Sequence, residues 1–440
     1  MTLIAEPCDL TAAEACAALS DGSLTAEALA RSCLDRTAER EPAVQAWEAL
    51  DPDLVVAEAR AADAAGRPGP LHGLLIGVKD IIATASLPTA CGSPIYAGTV
   101  LPFDAAVVAL GRLAGGIVMG KTVTTEFATY HPGKTRNPHA ADRTPGGSSS
   151  GSAAAVAAGM VPLALGTQTA GSIIRPAAFC GVVGYKPTWG TIEPAGVKTL
   201  ARSLDTVGVF ARTVEDAALY VQAVSGLPLR AAATDRTAPP VIGLCRSPAW
   251  SLAEAEMQAA FEDLGARLGH LIRVRMVDLP PDYAEVAAAQ ERIMAREAYL
   301  ALAHEGRCHR DQLSPRLLTL LDQGSAVSAT THTADLALLI RLRASFAETI
   351  ADTPVLVTPS APGVAPAAVN GTGDPAFNRL WTFLGAPCIN VPGLTGASGL
   401  PLGVQVVAAP GADRRALSAA AWLEDAVQAR GFTEAGRPDG

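Results

Sequence analysis

Apolar positions recur at helical spacing across residues 9–65, as at Leu24, Ala28, Leu29 and Cys33, and predict helices there. Thr11-Ala12-Ala13-Glu14 has the hydroxyl-to-carboxylate spacing of a capping box and marks one helix start. From residue 71 the pattern changes. Leu74-Leu75-Ile76-Gly77-Val78 is a short apolar run that reads as a strand and delivers Lys79 at its end; residues 116–119 form another. Residues 153–158 are alanine-rich behind a Ser/Gly turn and predict a buried helix. Thr213-Val214-Glu215-Asp216 opens a further helix that stops near Gly226, and residues 228–240 read as a surface connection. Residues 251–350 carry Ala, Leu, Glu and Arg at helical spacing without a catalytic motif. Strand character returns at 355–357 and 403–407. Alternating strand and helix signals predict an α/β layered fold. A length of 440 residues by itself suggests two or three domains.

Composition narrows the class. Forty-nine per cent hydrophobic residues and a net charge of −9 describe a soluble globular protein and argue against nucleic acid, which needs a basic surface. The eight cysteines are scattered without a C-x-x-C pair and read as buried thiols of a reducing, cytoplasmic compartment. No basic segment followed by an apolar one opens the chain, so no secretory leader is expected. The longest apolar run, 153–166, is too short and too interrupted by Gly and Pro to cross a bilayer, so no membrane partner is expected. Of 34 basic residues only five are lysines, at 79, 121, 134, 186 and 198. Arginine does not give up its proton, so a chain this rich in arginine keeps lysine where a base is needed.

The candidate chemistry sits in two Gly-rich turns. Ser148 lies in Pro145-Gly146-Gly147-Ser148-Ser149-Ser150-Gly151-Ser152, and Ser172 in Gly166-Thr167-Gln168-Thr169-Ala170-Gly171-Ser172. Neither turn contains a histidine. A serine hydroxyl is a poor nucleophile until a base takes its proton, and a neutral lysine can do so directly or through a second hydroxyl. Lys79, in Gly77-Val78-Lys79-Asp80, is the lysine to consider.

Lys79, the run Gly146-Gly147-Ser148-Ser149-Ser150-Gly151-Ser152 and Gly166-Thr167-Gln168-Thr169-Ala170-Gly171-Ser172-Ile173-Ile174-Arg175-Pro176 together resemble the amidase signature family, most of all its malonamidase-like members. Gly120-Lys121-Thr122, Thr125-Glu126-Phe127-Ala128, Ser203-Leu204-Asp205-Thr206-Val207-Gly208 and Gly399-Leu400-Pro401-Leu402-Gly403-Val404-Gln405 extend the resemblance over nearly the whole chain. It implies a single large α/β domain over residues 1–440, built around a mixed, twisted β-sheet flanked by helices. Residues 1–65 would supply N-terminal helices, 66–226 the catalytic core, 251–350 a variable helical region shaping the substrate pocket, and 351–430 a return to the core. It also implies roles: Ser172 as nucleophile, Ser148 as relay after a cis Gly147–Ser148 bond, Lys79 as base, and the N–H groups of Thr169, Ala170, Gly171 and Ser172 as oxyanion hole. Arg175 would hold a substrate carboxylate, and Asp205, Arg202 and Glu126 would support the loops. No cofactor and no metal are implied. Ala170 and Gln168 depart from the family's commoner glycine and acidic residue.

The substrate is left open between small amides, ureides and carbamates or urethanes. A different class of reading is the A-type component of a tRNA-dependent amidotransferase, which acts only with partners. The acidic balance favours a free-standing enzyme, with a homodimer as the assembly to look for. Two further motifs compete. Gly147-Ser148-Ser149-Ser150-Gly151 fits the G-x-S-x-G nucleophile elbow, with Ser149 as nucleophile. Residues 115–122 fit the G-x-x-x-x-G-K-T phosphate loop. The elbow lacks a His-Gly-Gly partner motif, and the phosphate loop's variable positions look like a strand.

Overall fold

Apolar runs too short for helices, buried on both faces, become the strands of one sheet. A computed structural model describes residues 6–66, 69–239 and 241–428. Its strands are β1 (Trp47–Leu50), β2 (Leu75–Lys79), β3 (Ile117–Thr122), β4 (Leu163–Gln168), β5 (Val183–Lys186), β6 (Thr206–Ala211), β7 (Ile242–Cys245), β8 (Val274–Val277), β9 (Val355–Pro359), β10 (Cys388–Thr395) and β11 (Pro401–Ala408). They join in the order β1-β3-β2-β4-β6-β5-β10-β11-β9-β7-β8. The β3-β2-β4 and β9-β7-β8 neighbours are parallel, and those from β4 through β6, β5, β10 and β11 to β9 are antiparallel. One mixed sheet reaching from residue 47 to 408 replaces the two or three domains that length alone suggests.

Because β2, β3, β4 and β6 are buried throughout, helices must cover both faces. The helix Ser150–Ala157 packs against β2, β3, β4 and β6, and its neighbour Ile174–Cys180 against β5, β10 and β11. The helices Val214–Ser225 and Asp413–Gln428 touch each other and close on β5–β6 and β9–β11 respectively. The capping box is present: Thr11 accepts from Glu14 N–H and Glu14 accepts from Thr11 N–H.

Several expectations need correction. The segment expected to be helical to residue 65 contains β1, which follows a left-handed residue at Gln45 and pairs with β3 across Trp47 and Leu50. Four residues of Trp-Glu-Ala-Leu carry too little periodicity to announce a strand; the vacant edge of β3 decides it. The helical region 251–350 likewise contains β8, which pairs with β7. In the connection after residue 228, a short helix Arg230–Ala233 buries Ala232 and Ala233. β10 is not announced by the apolar pattern because Pro392 and Gly393 interrupt it, where its register shifts against β11. Residues 1–5 of the expected N-terminal segment, Pro240 of the connection and 429–430 of the expected return lie outside the described residues.

The Ser/Gly/Ala composition of residues 150–157 has a packing cause. A Cβ on Gly151 would lie 2.3 Å from Ala46 O and 2.4 Å from Val123 N, both backbone atoms that cannot yield. Gly151→Ala is therefore expected to destabilise the fold by about 1–3 kcal/mol. Gly269→Ala, where a Cβ meets nothing within 4 Å at a helix end, should be neutral or mildly stabilising. Urea denaturation of both variants checks this; equal midpoints would refute the packing argument.

Candidate active site

Parallel pairing of β2 with β4, in the register Ile76 to Leu163 and Val78 to Leu165, sets the C-terminal ends of the two strands side by side. Lys79 is the last residue of β2, and β4 runs directly into the loop that carries Ser172. Ligand sites in α/β sheets form at such carboxyl ends. The connection from β2 to β4 brings back Ser148, just before the helix Ser150–Ala157. The Gly147–Ser148 peptide bond is cis. Gly146, at φ +84°, leaves no room for a side chain against Pro176 Cα, so this turn lies on the helix Ile174–Cys180.

Lys79 has no exposed surface, and its Nζ lies 2.7 Å from Ser148 Oγ and 2.8 Å from Thr167 Oγ1. Among the described residues no carboxylate forms an ion pair with it. Burial pushes its pKa down from 10.5 to about 7, against the weaker opposing pull of Asp205. Burial also pushes Asp205 up, to about 6. Its carboxylate is already engaged, accepting from Thr169 Oγ1 at 2.6 Å and from the N–H groups of Leu200 and Ala201. The amine thus sits between two hydroxyls, and when neutral its lone pair can accept a proton from one of them.

The second loop is held from several sides. Gln168 Oε1 accepts from the N–H groups of Ile173 and Ile174, at 2.8 and 3.0 Å, while Gln168 Nε2 donates to Thr382 Oγ1. The amide thereby ties both ends of the loop that an acidic residue more often occupies in the resembling family. Thr382 Oγ1 donates to Ala170 O at 2.7 Å. Gly171 must be glycine: a Cβ would lie 2.4 Å from Asn378 Oδ1. The N–H groups of Thr169, Ala170, Gly171 and Ser172 have no hydrogen-bond partner among the described residues. Ser172 is 8% exposed and its hydroxyl is likewise unbonded there, so Lys79 and Ser148 are in direct contact while Ser172 stands on the adjoining loop.

Arg175 is also buried. Its Nη2 donates to Gly147 O at 2.7 Å and more weakly to Thr372 Oγ1, while Nε and Nη1 have no partner among the described residues. Burial, then the nearby charge of Arg379, pushes its pKa down to about 10. Beside Thr167 and Thr169 lies a cavity of about 300 Å³ that Trp189, Lys198, Arg202 and Asp205 also line.

The competing motifs dissolve on inspection. Ser149 is fully buried and its Oγ bonds the Thr167 backbone, with no histidine among its partners. Lys121 lies in β3, fully buried, donating to Ile82 O and Thr89 Oγ1 with Asp80 3.4 Å away. It holds the core together and has no phosphate loop around it. Glu126 accepts from Ser314 N–H, and with Asp205 supports its loop as expected, whereas Arg202 is exposed on the cavity wall. The cysteines are unpaired; contrary to expectation Cys308 is exposed and Cys16 half-buried, because both sit on the outer sides of helices. One trio of ligand-type groups, Glu6, Cys8 and Asp9, comes together among the described residues, but Arg36 pairs with both carboxylates and already supplies the positive charge.

Sequence reasoning missed Thr167, Thr382, Asn378 and Gln290. Thr167 belongs to the Gly166–Ser172 run, two residues before Thr169, a spacing that could have found it. The other three arrive from beyond residue 280 and carry no local motif.

No helix among the described residues is long and apolar enough to cross a membrane. The chain is 41% identical over 293 residues to the A component of glutamyl-tRNA(Gln) amidotransferase from Symbiobacterium thermophilum, covering 64% of this chain and 60% of that protein's length. It thus spans about three-fifths of that curated relative. A solved structure described as an amidase superposes with a TM-score of 0.87 at 31% identity, covering 94% of this chain and 99% of the other. Peptide amidase from Stenotrophomonas maltophilia superposes with a TM-score of 0.84 at 27% identity, covering 96% and 98%. The amidase family itself matches over residues 28–417, from the second long helix to the last, and this chain belongs to that family.

Proposed function

We propose that this protein is an amidase, a hydrolase of carbon–nitrogen bonds, that works through an acyl-enzyme on Ser172 with Ser148 as relay and Lys79 as base. The observation that carries this reading is Lys79: an amine with no exposed surface and, among the described residues, no ion-pair partner, 2.7 Å from a serine hydroxyl. Ser172 Oγ attacks the acyl carbon and its proton passes through Ser148 to Lys79. The relay run backwards protonates the departing nitrogen, which an amide requires because an unprotonated amine leaves poorly. Water then attacks the acyl-enzyme by the same route. The unpartnered N–H groups of residues 169–172 supply donors for the oxyanion, preorganised because their loop is tied at both ends.

For the substrate, small amides bearing a carboxylate fit best, since Arg175 keeps two buried nitrogens without a partner among the described residues and so has donors left for an anion. Ureides and carbamates are the alternatives for the same triad. A free-standing cytoplasmic enzyme without a nucleic-acid partner accords with the charge of −9. The rival is a chain active only within a complex, favoured by its likeness to one component of an amidotransferase. Turnover of a small amide by the purified chain alone supports the first reading; activity appearing only with added partner proteins supports the second.

Ser172→Ala and Lys79→Ala are each expected to lower kcat by about 10⁴-fold or more with the fold intact, and Ser148→Ala by a comparable or smaller factor. The double variant of Ser172 and Ser148 should be little worse than Ser172→Ala, because a catalytic unit loses activity non-additively. Ser149→Ala should cost far less. If Ser149→Ala abolishes turnover and Ser172→Ala spares it, the assignment is wrong.

The pH profile carries a sign. Below the Lys79 pKa of about 7 the amine is protonated and cannot act as base, so kcat/KM should rise through that pH and level off above it. Chelators should leave the profile unchanged. A profile that falls over the same range, or a strict need for added zinc, contradicts a lysine base.

Arg175→Ala should raise KM about ten- to a hundredfold for amides with a carboxylate beside the scissile bond, and little for neutral ones. Equal losses on both would leave Arg175 only its bond to Gly147 O.

A further inference from the structure

The loop proposed to hold the oxyanion is fixed by its carbonyls. A trans peptide unit is planar, so the C=O of one residue and the N–H of the next point in opposite directions. Anchoring one carbonyl therefore aims the following N–H. Three carbonyls of this loop are anchored. Gly171 O accepts from Arg175 N–H at 3.0 Å, which sets Ser172 N–H. Ala170 O accepts from Thr382 Oγ1 at 2.7 Å, which sets Gly171 N–H. Thr169 O accepts from Gln290 Nε2 at 3.0 Å, which sets Ala170 N–H.

The first anchor is local, and the second comes from the core helix Ala376–Phe383. The third comes from the helix Val286–Ala301, inside the region 251–350 that has no catalytic motif of its own. Gln290 has no exposed surface, so it has no solvent role to explain it. Its amide cannot turn over. Arg379 Nη1 donates to Gln290 Oε1 at 2.5 Å, which leaves only Nε2 to face Thr169 O, and Arg379 Nη2 is itself held by Glu291 at 3.1 Å. A buried arginine, fixed by an acid on the same helix as Gln290, thus sets the orientation of that amide.

We propose that Gln290 is a positioning residue for turnover: by holding Thr169 C=O it aims Ala170 N–H at the oxyanion, coupling the helical region 251–350 to the chemical step. The proposal rests on the oxyanion-hole reading of residues 169–172. Its contribution belongs to the transition state, because a ground-state carbonyl oxygen carries little charge for the donor to meet. Removing an oxyanion donor outright costs about 10²–10³ in kcat, and misaiming one should cost less.

Two variants test it. Gln290→Glu keeps the shape and can still accept from Arg379, but turns an oxygen toward Thr169 O. Gln290→Met keeps the volume and removes the donor. Each should lower kcat about ten- to a hundredfold with KM for a neutral amide within about twofold and the pH midpoint unmoved. Active enzyme is counted by titration with a slowly deacylating ester, so that lost folded protein does not register as lost turnover. A merely structural glutamine would reduce the titratable sites and leave kcat per site alone. A per-site kcat within about threefold of the parent in Gln290→Met, or a loss carried by KM, overturns the proposal. If Ser172→Ala also retains activity, it is the nucleophile assignment that has failed; if Ser172→Ala is inactive, the failure is confined to Gln290.

Discussion

An amine with no exposed surface and, among the described residues, no countercharge is the constraint around which this structure is arranged. Isolated charge in a protein interior is costly, so a buried lysine without an ion pair shifts toward its neutral form. Lys79 meets that condition because β2 is covered on both faces and ends beneath the two loops that carry the serines. Two other lysines, Lys121 and Lys186, are buried as well, and they differ instructively. Lys121 has Asp80 beside it and a backbone carbonyl to donate to, and Lys186 donates to Pro187 O. Among the described residues, Lys79 alone of the three is held by hydroxyls without a carboxylate or carbonyl, and hydroxyls can both donate and accept.

Close backbone packing makes this burial attainable. Gly146, Gly147 and Gly151 each face neighbouring atoms at distances a Cβ could not occupy, so the Ser148 turn is pressed against Pro176, Thr372 and the end of β3. The alanine run that follows keeps the helix Ser150–Ala157 thin enough to lie on four strands at once. Composition that could be mistaken for a flexible Ser/Gly linker is here a densely enclosed part of the chain.

The helical region 251–350 is bound to this centre by polar contacts that reach the Ser172 loop and the cavity wall. Gln290 bonds Thr169, Glu297 accepts from Ser203 through both carboxylate oxygens, Glu305 holds Lys198 and Tyr96, and Ser314 bonds Glu126. Region 251–350 and the loop that carries Ser172 are joined by a direct hydrogen bond.

The chain's own order of residues was enough to locate the two serine turns, to single out Lys79 from a sequence nearly devoid of lysine, and to indicate an α/β layer fold. Those signals are local: a turn needs particular residues at fixed spacing, and a buried strand shows as an apolar run. The sequence could not announce β1 or β8, because Trp-Glu-Ala-Leu and Val-Arg-Met-Val are not clean apolar runs and take their structure from the neighbouring strand that they complete. It could not separate Ser149 from Ser148 by spacing alone; that difference arises from which hydroxyl the turn aims at Lys79 and which it aims at the Thr167 backbone. Nor could it reveal that, among the described residues, Lys79 lacks a countercharge and Arg175 keeps two nitrogens unpartnered, or that Gln290, Thr382 and Asn378 meet the Ser172 loop. Those facts depend on groups far apart in the chain being brought within hydrogen-bonding reach, and only the closure of the sheet with its helices decides which side chains come to share that space.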